Sequence, residues 1–150
     1  MTLRDGFSID LIQFRADNNP ITEVEHGFFE NFKNLWHFSC NNCNLGPTLF
    51  NGTLEFHSEA LRYVSLGGNN ISSLESHAIT GFTAETRIEL WGNEIRNFTK
   101  EFFVLMLENL SAGEGYIDLY ENLSSSSSTY YATPLRAQQI RRTRMETFQR

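Results

Sequence analysis

Apolar residues recur along the chain in a pattern that is much longer than one turn of a helix or one strand pleat. Residues 61–82 read LRYVSLGGNNISSLESHAITGF, with apolar residues at positions 1, 4, 6 and 11 of a unit and asparagine at position 9. The pattern returns in units that begin at residues 11, 35, 61, 85 and 114, so the spacings are 24, 26, 24 and 29 residues, although Glu85 and Glu114 replace the apolar residue at position 1. Spacings of about 20–29 residues with this pattern are typical of leucine-rich repeats.

Each unit predicts a short strand followed by a sharp bend. Positions 4 and 6 lie on the same side of a strand, so they stack on their counterparts in the next unit and form a continuous core. We predict parallel strands near residues 13–16, 37–40, 63–66, 87–90 and 116–119. At position 9 an amide inside the bend would satisfy backbone groups that an apolar side chain leaves unpaired. This predicted structural ladder consists of Asn19, Cys43, Asn69, Asn93 and Asn122.

The pattern therefore predicts an α/β leucine-rich-repeat solenoid, with short parallel strands on the concave face and turns or short helices on the convex face. Residues 1–10 are expected to form an N-terminal edge or truncated repeat, 11–123 the solenoid of about five repeats, and 124–150 a serine run with a basic, disordered tail. The best helix candidate is residues 98–113, where Thr99 can cap the start and Gly113 the end. Its predicted apolar face contains Phe102, Phe103, Met106 and Leu110.

The two cysteines of the motif CNNCNLG, residues 40–46, could form half of a zinc site, a redox pair or a disulfide. In the repeat register Cys40 occupies position 6 and Cys43 position 9, so both are expected inside the solenoid. There Cys40 acts as a small apolar residue and Cys43 takes the place of the ladder asparagine. A zinc site needs a second pair of ligands, and a redox C-x-x-C motif normally opens a helix. The core interpretation is therefore favoured.

Positions 2, 3, 5, 7 and 8 are expected to face the concave surface, which is the usual binding surface of a curved solenoid. Exposed aromatic residues recur there in adjacent units, and Trp, Tyr and Arg are enriched at interface hot spots. His37, Tyr63 and Arg87 would lie side by side, about 5 Å apart. The full candidate binding set is Trp36, His37, Arg62, Tyr63, Arg87, Glu89, Trp91, Tyr116, Asp118 and Tyr120.

Charge narrows the classes of partner. Residues 1–123 contain seven Lys/Arg and seventeen Asp/Glu, whereas 124–150 contain five Arg and one Glu. An acidic body argues against nucleic acid or an anionic membrane as the main partner, and no apolar run is long enough to cross a bilayer. The sequence contains none of the common nucleophile, zinc-protease or nucleotide-binding motifs. We therefore expect no catalytic residues, metal or cofactor, and a protein as the partner.

Four stretches go beyond the generic repeat: CNNCNLGPTL at 40–49, LEFHSEALRYV at 54–64, NNISSLESHAITG at 69–81 and GNEI at 92–95. Over residues 11–122 the chain resembles a crustacean leucine-rich-repeat family named for the non-catalytic subunit of the oplophorus-luciferin 2-monooxygenase. The resemblance implies a secreted, non-enzymatic repeat subunit that associates with a separate catalytic chain. This sequence differs from that family in showing no secretory signal and no Cys-rich C-terminal cap.

Glycosylation sequons give an independent indication of secretion. N-x-S/T occurs at Asn51, Asn70, Asn97, Asn109 and Asn122, whereas about two are expected by chance from this composition. Asn122 is a ladder residue and should be too buried for a glycan, and Asn51 and Asn70 lie in turn-like contexts. An extracellular interaction module is the favoured function. The alternative is a cell-surface or extracellular recognition or structural protein, of which this chain is a fragment.

Overall fold

The computed structural model describes residues 2–3, 10–96, 100–122 and 130–131. They form a β-solenoid of about four turns that consists mostly of parallel strands, so the prediction of a solenoid is confirmed. The α/β class is not shown, because the described residues contain one helix, α1 (Lys100–Leu110). The strands are β1 (Thr2–Leu3), β2 (Gln13–Arg15), β3 (Glu23–Val24), β4 (His37–Ser39), β5 (Thr48–Leu49), β6 (Leu54–Glu55), β7 (Tyr63–Ser65), β8 (Ser73–Leu74), β9 (Ile79–Thr80), β10 (Arg87–Glu89), β11 (Tyr116–Asp118) and β12 (Tyr130–Tyr131).

The main sheet contains one strand from each repeat unit. Its order is β12-β11-β10-β7-β4-β2, and the five repeat strands are parallel and in register. β12 is different: it pairs antiparallel with β11 and covers that strand's open edge, a common way of protecting an edge. The basic tail was predicted to be disordered. Apart from β12, residues 124–150 lie outside the described part of the chain.

The interior of the solenoid follows the repeat pattern. Position 4 of every unit is buried, as is position 6. At position 4 the residues are Phe14, Phe38, Val64, Ile88 and Ile117, and at position 6 they are Ala16, Cys40, Leu66, Leu90 and Leu119. In the first two turns phenylalanines fill the space behind these layers: Phe29, for example, packs against Phe28, Phe38 and Phe56 with ring centroids 4.5–5.1 Å apart.

The return arms differ from the prediction of turns and short helices. They pair as small parallel sheets: β1, which precedes the first unit, pairs with β3 of the first unit, and β5 and β6 of the second unit pair with β8 and β9 of the third. The predicted helix is present only in the longest unit, as α1, where Met106 and Leu110 are buried. The cap at Thr99 and the side chains of Phe102 and Phe103 lie outside the described part of the chain. Two-residue strands are too short to produce a recognisable alternation in sequence.

Buried asparagines at position 9 connect successive turns. Asn93 donates from Nδ2 to the carbonyls of Leu66, Leu90 and Trp91 at 2.9, 2.9 and 3.3 Å. Its Oδ1 accepts from the backbone N–H of Asn69 and Ile71 at 2.9 and 3.0 Å. The Asn69 and Asn122 amides bond in the same way. Each amide thus satisfies backbone groups of its own turn and of the turn before it. Asn19 is exposed, and among the described residues it donates to the Ala16 and Asp17 carbonyls of its own turn.

The cysteines are buried as expected, but they are not free thiols. Cys40 and Cys43 form a disulfide with each other, with Cα atoms 5.6 Å apart. Cysteine offers no amide, so the ladder changes locally at this unit. The Ile21 N–H bonds to the backbone carbonyl of Cys43 at 2.8 Å, whereas the equivalent Ile71 N–H bonds to the side chain of Asn93.

Position 8 was assigned to the concave surface, but it forms the bend itself. In all five units its φ lies between 55° and 64°, in the left-handed region. Asparagine and glycine tolerate this conformation best, and four of the five units use them. The residues are Asn18, Asn42, Gly68, Gly92 and Glu121. Glu121 is the exception, and its side chain gains no compensation for the strain from any hydrogen bond within residues 10–96 and 100–122.

Replacing Asn93 by Ala should remove about 2–4 kcal/mol of unfolding free energy, because the backbone N–H groups of Asn69 and Ile71 lose their partner at about 1–3 kcal/mol each, with partial relief by water. The three carbonyls that Asn93 contacts keep other donors. Asn19→Ala is the matched control and should cost less than about 1 kcal/mol, because its side chain is exposed. Urea unfolding followed by circular dichroism measures both values. Equal losses would show that the buried amide has no special role.

Replacing Glu121 by Asn should stabilise the protein by up to about 1 kcal/mol, because Asn relieves the left-handed strain. For a chain of this size the melting temperature should rise by roughly 2–4 °C. The matched control is Glu25→Asn, at an exposed residue outside the left-handed set, and it should leave the melting temperature nearly unchanged. A decrease for Glu121→Asn would contradict the strain argument.

Candidate functional site on the concave face

Side chains at positions 2 and 3 form a continuous surface across the main sheet, which we call the aromatic–arginine strip: Trp36, His37, Tyr63, Arg87 and Tyr116. The Trp36 and Tyr63 rings lie 4.8 Å apart between centroids, and those of His37 and Tyr63 lie 5.7 Å apart. In-register pairing of β4, β7, β10 and β11 sets these spacings. Trp36 is 39% exposed, so the strip presents an aromatic surface to solvent.

Arg87 lies at the centre of one half of the strip, between two tyrosines. Its guanidinium carbon is 5.3 Å from the ring centroid of Tyr63 and 5.5 Å from that of Tyr116. It also donates from Nη1 to the Tyr63 hydroxyl at 3.2 Å. Cation–π contacts of this kind are favourable and restrict the side chain. The positive charge is therefore held in place before any ligand arrives.

A second set of side chains, at positions 5 and 7, runs beside the strip. We call it the polar track: Asp17, Ser39, Asn41, Ser65 and Glu89. Ser39 donates to the Asp17 carboxylate and accepts from Asn41 Nδ2 at 3.2 Å.

The track continues into the next units through Ser65. Its hydroxyl donates to Glu89 Oε2 at 2.6 Å and lies 3.1 Å from Asn41 Oδ1. Because carboxylates at both ends accept these bonds, the track is an internally satisfied acidic edge beside the strip on the main sheet.

The other candidate residues lie around these two sets. Trp91 packs flat over Gly67, where a Cβ atom would meet the indole at 2.2 Å. Arg62 turns towards the start of its strand and donates to the carbonyls of Glu59 and Leu61. In the last unit the Tyr120 N–H bonds to Asp118 Oδ1 at 2.9 Å, and the Tyr120 side chain is 55% exposed.

The candidate set predicted from sequence contained all five residues of the strip but, of the polar track, only Glu89. Asp17 and Asn41 occupy position 7 of their units, as the candidate residues Trp91 and Tyr120 do. This shared position in the repeat could have predicted that Asp17 and Asn41 lie on the same surface. The near-complete burial of Ser39 and Ser65 was also unexpected. It arises because their hydroxyls bond sideways to neighbouring units rather than outwards to solvent.

His37 is half-buried within the strip, and its surroundings lower its pKa below the ordinary 6.5. Burial is the largest cause, followed by the positive charge of Arg15, while Glu89 and Asp17 act in the opposite direction. The imidazole is therefore neutral at neutral pH. The positive charge of the strip comes from Arg87.

Of the five sequon asparagines, Asn97 lies outside the described part of the chain. Asn51 and Asn70 are exposed in turns, and Asn109 is exposed in the last turn of α1. Over residues 2–3, 10–96, 100–122 and 130–131, no three or more His, Cys, Asp or Glu residues are grouped to hold a metal ion. In the same residues no helix is long and apolar enough to span a membrane.

An NMR titration should give His37 a pKa below 6.5. Arg15→Gln should raise this pKa and Glu89→Gln should lower it further, because these charges act with opposite sign. The unfolded chain binds a proton more readily, so stability is lost as the pH falls from 6.5 through the folded pKa. Shifts of the same sign in both variants would contradict this electrostatic account.

No protein-family model, curated protein or solved structure matches this chain.

Proposed function

We propose that this chain is an extracellular, non-enzymatic leucine-rich-repeat module that binds another protein through the aromatic–arginine strip. The observation that carries the proposal is the contact chain from Trp36 through Tyr63 to Arg87 and Tyr116. Four side chains from four successive strands form one open surface, and their residue types are those that dominate protein–protein hot spots.

The shape of the surface favours a protein over a small molecule. Small ligands are usually bound in enclosed clefts that bury most of their surface. The strip instead extends across β4, β7, β10 and β11, about 5 Å per strand. An extended segment or flat protein surface can contact all of these strands at once. The acidic track beside the strip supplies a second, oppositely charged edge that fixes the orientation of the partner.

The leucine-rich-repeat assignment is supported by the repeat pattern together with the asparagine amides in the bends. The resemblance to the luciferin-monooxygenase accessory family suggests that the partner is a separate catalytic chain. In the alternative function, the same strip recognises a component of a cell surface or extracellular matrix, and the chain is a fragment of a recognition or structural protein.

The disulfide supports the extracellular location. Disulfides persist in oxidising compartments and are rare in the cytosol, where thiols are kept reduced. The bond between Cys40 and Cys43 lies inside the solenoid, where both residues are fully buried. The excess of sequons over the chance expectation agrees with the same compartment.

The double variant Tyr63→Ala/Arg87→Ala should weaken binding to the partner at least roughly tenfold, because about 1.4 kcal/mol or more is expected from two central hot-spot residues. Interferometry measures the dissociation constant of each variant for the catalytic monooxygenase chain of a luminous crustacean. To test the alternative function, the same variants are measured for binding to a cell-surface extract from the same source.

Phe50→Ala is the matched control, because Phe50 is an exposed aromatic residue outside the strip. It should leave the dissociation constant unchanged. Circular dichroism should show that all variants remain folded. Equal affinity for the native protein and the double variant would reject the strip as the binding surface.

A further inference from the structure

Five sequons occur in the chain, and the structure separates them by what the asparagine side chain already does. Four lie in the described residues: Asn51, Asn70, Asn109 and Asn122. An N-linked glycan needs an amide that points into solvent in the folded protein, because the sugar is larger than any side chain. Burial and hydrogen bonding therefore distinguish Asn122, Asn51 and Asn70, whereas Asn109 is exposed in the last turn of α1.

Asn122 is incompatible with a glycan. Its side chain is 8% exposed, and its Nδ2 donates to the carbonyls of Leu90 and Leu119 at 2.8 and 3.1 Å. Its Oδ1 accepts from the Ile95 N–H at 3.1 Å. A sugar on Nδ2 replaces one of its two hydrogens, so at least one of these donated bonds would be lost, and the sugar would have to occupy the interior of this turn.

Asn51 has the opposite surroundings. It lies in an exposed turn after β5, and the side chain of Glu75 holds its backbone N–H at 2.9 Å. Thr53, the hydroxyl residue of the sequon, donates to the Phe50 carbonyl at 2.7 Å, which fixes the turn. By contrast, the Asn70 amide already donates to Asn44 Oδ1 at 3.3 Å.

Phe50, next to Asn51, supplies the second observation. It is 61% exposed, an unusual position for a large apolar ring. It lies on an open groove of about 540 Å³ whose lining includes Pro20, Leu45 and Thr53. Phe50 and Thr53 flank Asn51 in sequence, so a sugar attached to Asn51 begins at the rim of this groove. The apolar face of a sugar ring can pack on an aromatic ring and remove its surface from water.

We propose that Asn51 carries an N-linked glycan whose first sugar covers Phe50, and that Asn122 carries none. The inference rests on the extracellular location that we propose for the protein. A bond forms between Asn51 Nδ2 and C1 of an oligosaccharide delivered as its polyprenyl diphosphate. The C1–O bond to the diphosphate breaks, the polyprenyl diphosphate leaves with the electron pair, and a base on the transferase accepts the proton from Nδ2.

The glycan would lie on a surface other than the strip. Asn51 follows β5, which pairs with β8 in a sheet separate from the main one. The strip projects from β4, β7, β10 and β11 of the main sheet. Glycosylation at Asn51 therefore covers exposed apolar surface and leaves the proposed binding surface accessible.

The test expresses the full chain behind a cleavable secretory leader in eukaryotic cells. Amidase release of glycans in ¹⁸O-water marks every formerly glycosylated asparagine as labelled aspartate, and mass spectrometry of peptides reads each position. We expect label at Asn51 and none at Asn122. Thr53→Ala should abolish the label at Asn51, whereas the matched variant Thr53→Ser, which keeps the hydroxyl and the sequon, should retain it.

A thermal double-mutant cycle tests the contact with Phe50. Asn51→Gln should lower the melting temperature of the secreted protein, and this decrease should be at least halved in a Phe50→Ala background. Equal decreases in the two backgrounds would overturn the contact.

The labelling outcomes also separate this inference from the proposed function. Label at other sequons without label at Asn51, or label at Asn122 in folded protein, would overturn the site assignment alone. A complete absence of label would overturn the glycan at Asn51 and would leave the extracellular location untouched, because the added leader directs the chain into the secretory pathway. Partner binding by the strip is measured separately, on bacterial protein without glycans.

Discussion

The fold depends on how backbone groups are satisfied at the bend that follows each strand of the main sheet. At every bend the chain turns inward. Its backbone N–H and C=O groups become buried there, and no neighbouring strand is placed to bond them. A buried polar group without a hydrogen bond costs about 1–3 kcal/mol, so one unsatisfied bend would cancel much of the stability of a small domain. Asn93 resolves this with five hydrogen bonds from one short side chain. Because it also reaches the previous turn, it fixes the stacking distance and the register between turns.

The unit at Cys43 shows how far this requirement can be relaxed. Here the Ile21 N–H bonds to a backbone carbonyl instead of a side-chain amide, and the Asn69 amide from the next turn still holds the Cys43 N–H at 2.8 Å. The disulfide closes a short loop within the bend itself. A covalent constraint and the neighbouring ladder residue thus replace the missing amide.

The predictable part of the fold is the part that repeats. Positions 4, 6 and 9 recur five times, and so the strands, the core layers and the bends could be located from sequence. Position 8 was misread because an asparagine such as Asn42 is consistent with both an exposed surface and a left-handed bend, and only φ distinguishes them. The pairing of return arms such as β5 with β8 depends on contacts between turns rather than on local pattern. For the same reason the strip was predicted from its register, whereas the bonds from Ser65 to Glu89 and Asn41 were not.

The strip is more than a set of exposed residues, because its members are ordered by each other. An isolated arginine on a surface loses considerable side-chain entropy when a partner immobilises it, and that loss reduces affinity. Arg87 has already lost much of this freedom to Tyr63 and Tyr116, and Tyr63 is in turn packed against Trp36. The strands beneath are rigid and in register, so the spacing between these groups is fixed as well. A surface ordered in this way would lose less side-chain entropy on binding a partner, which supports the strip as the proposed interaction site.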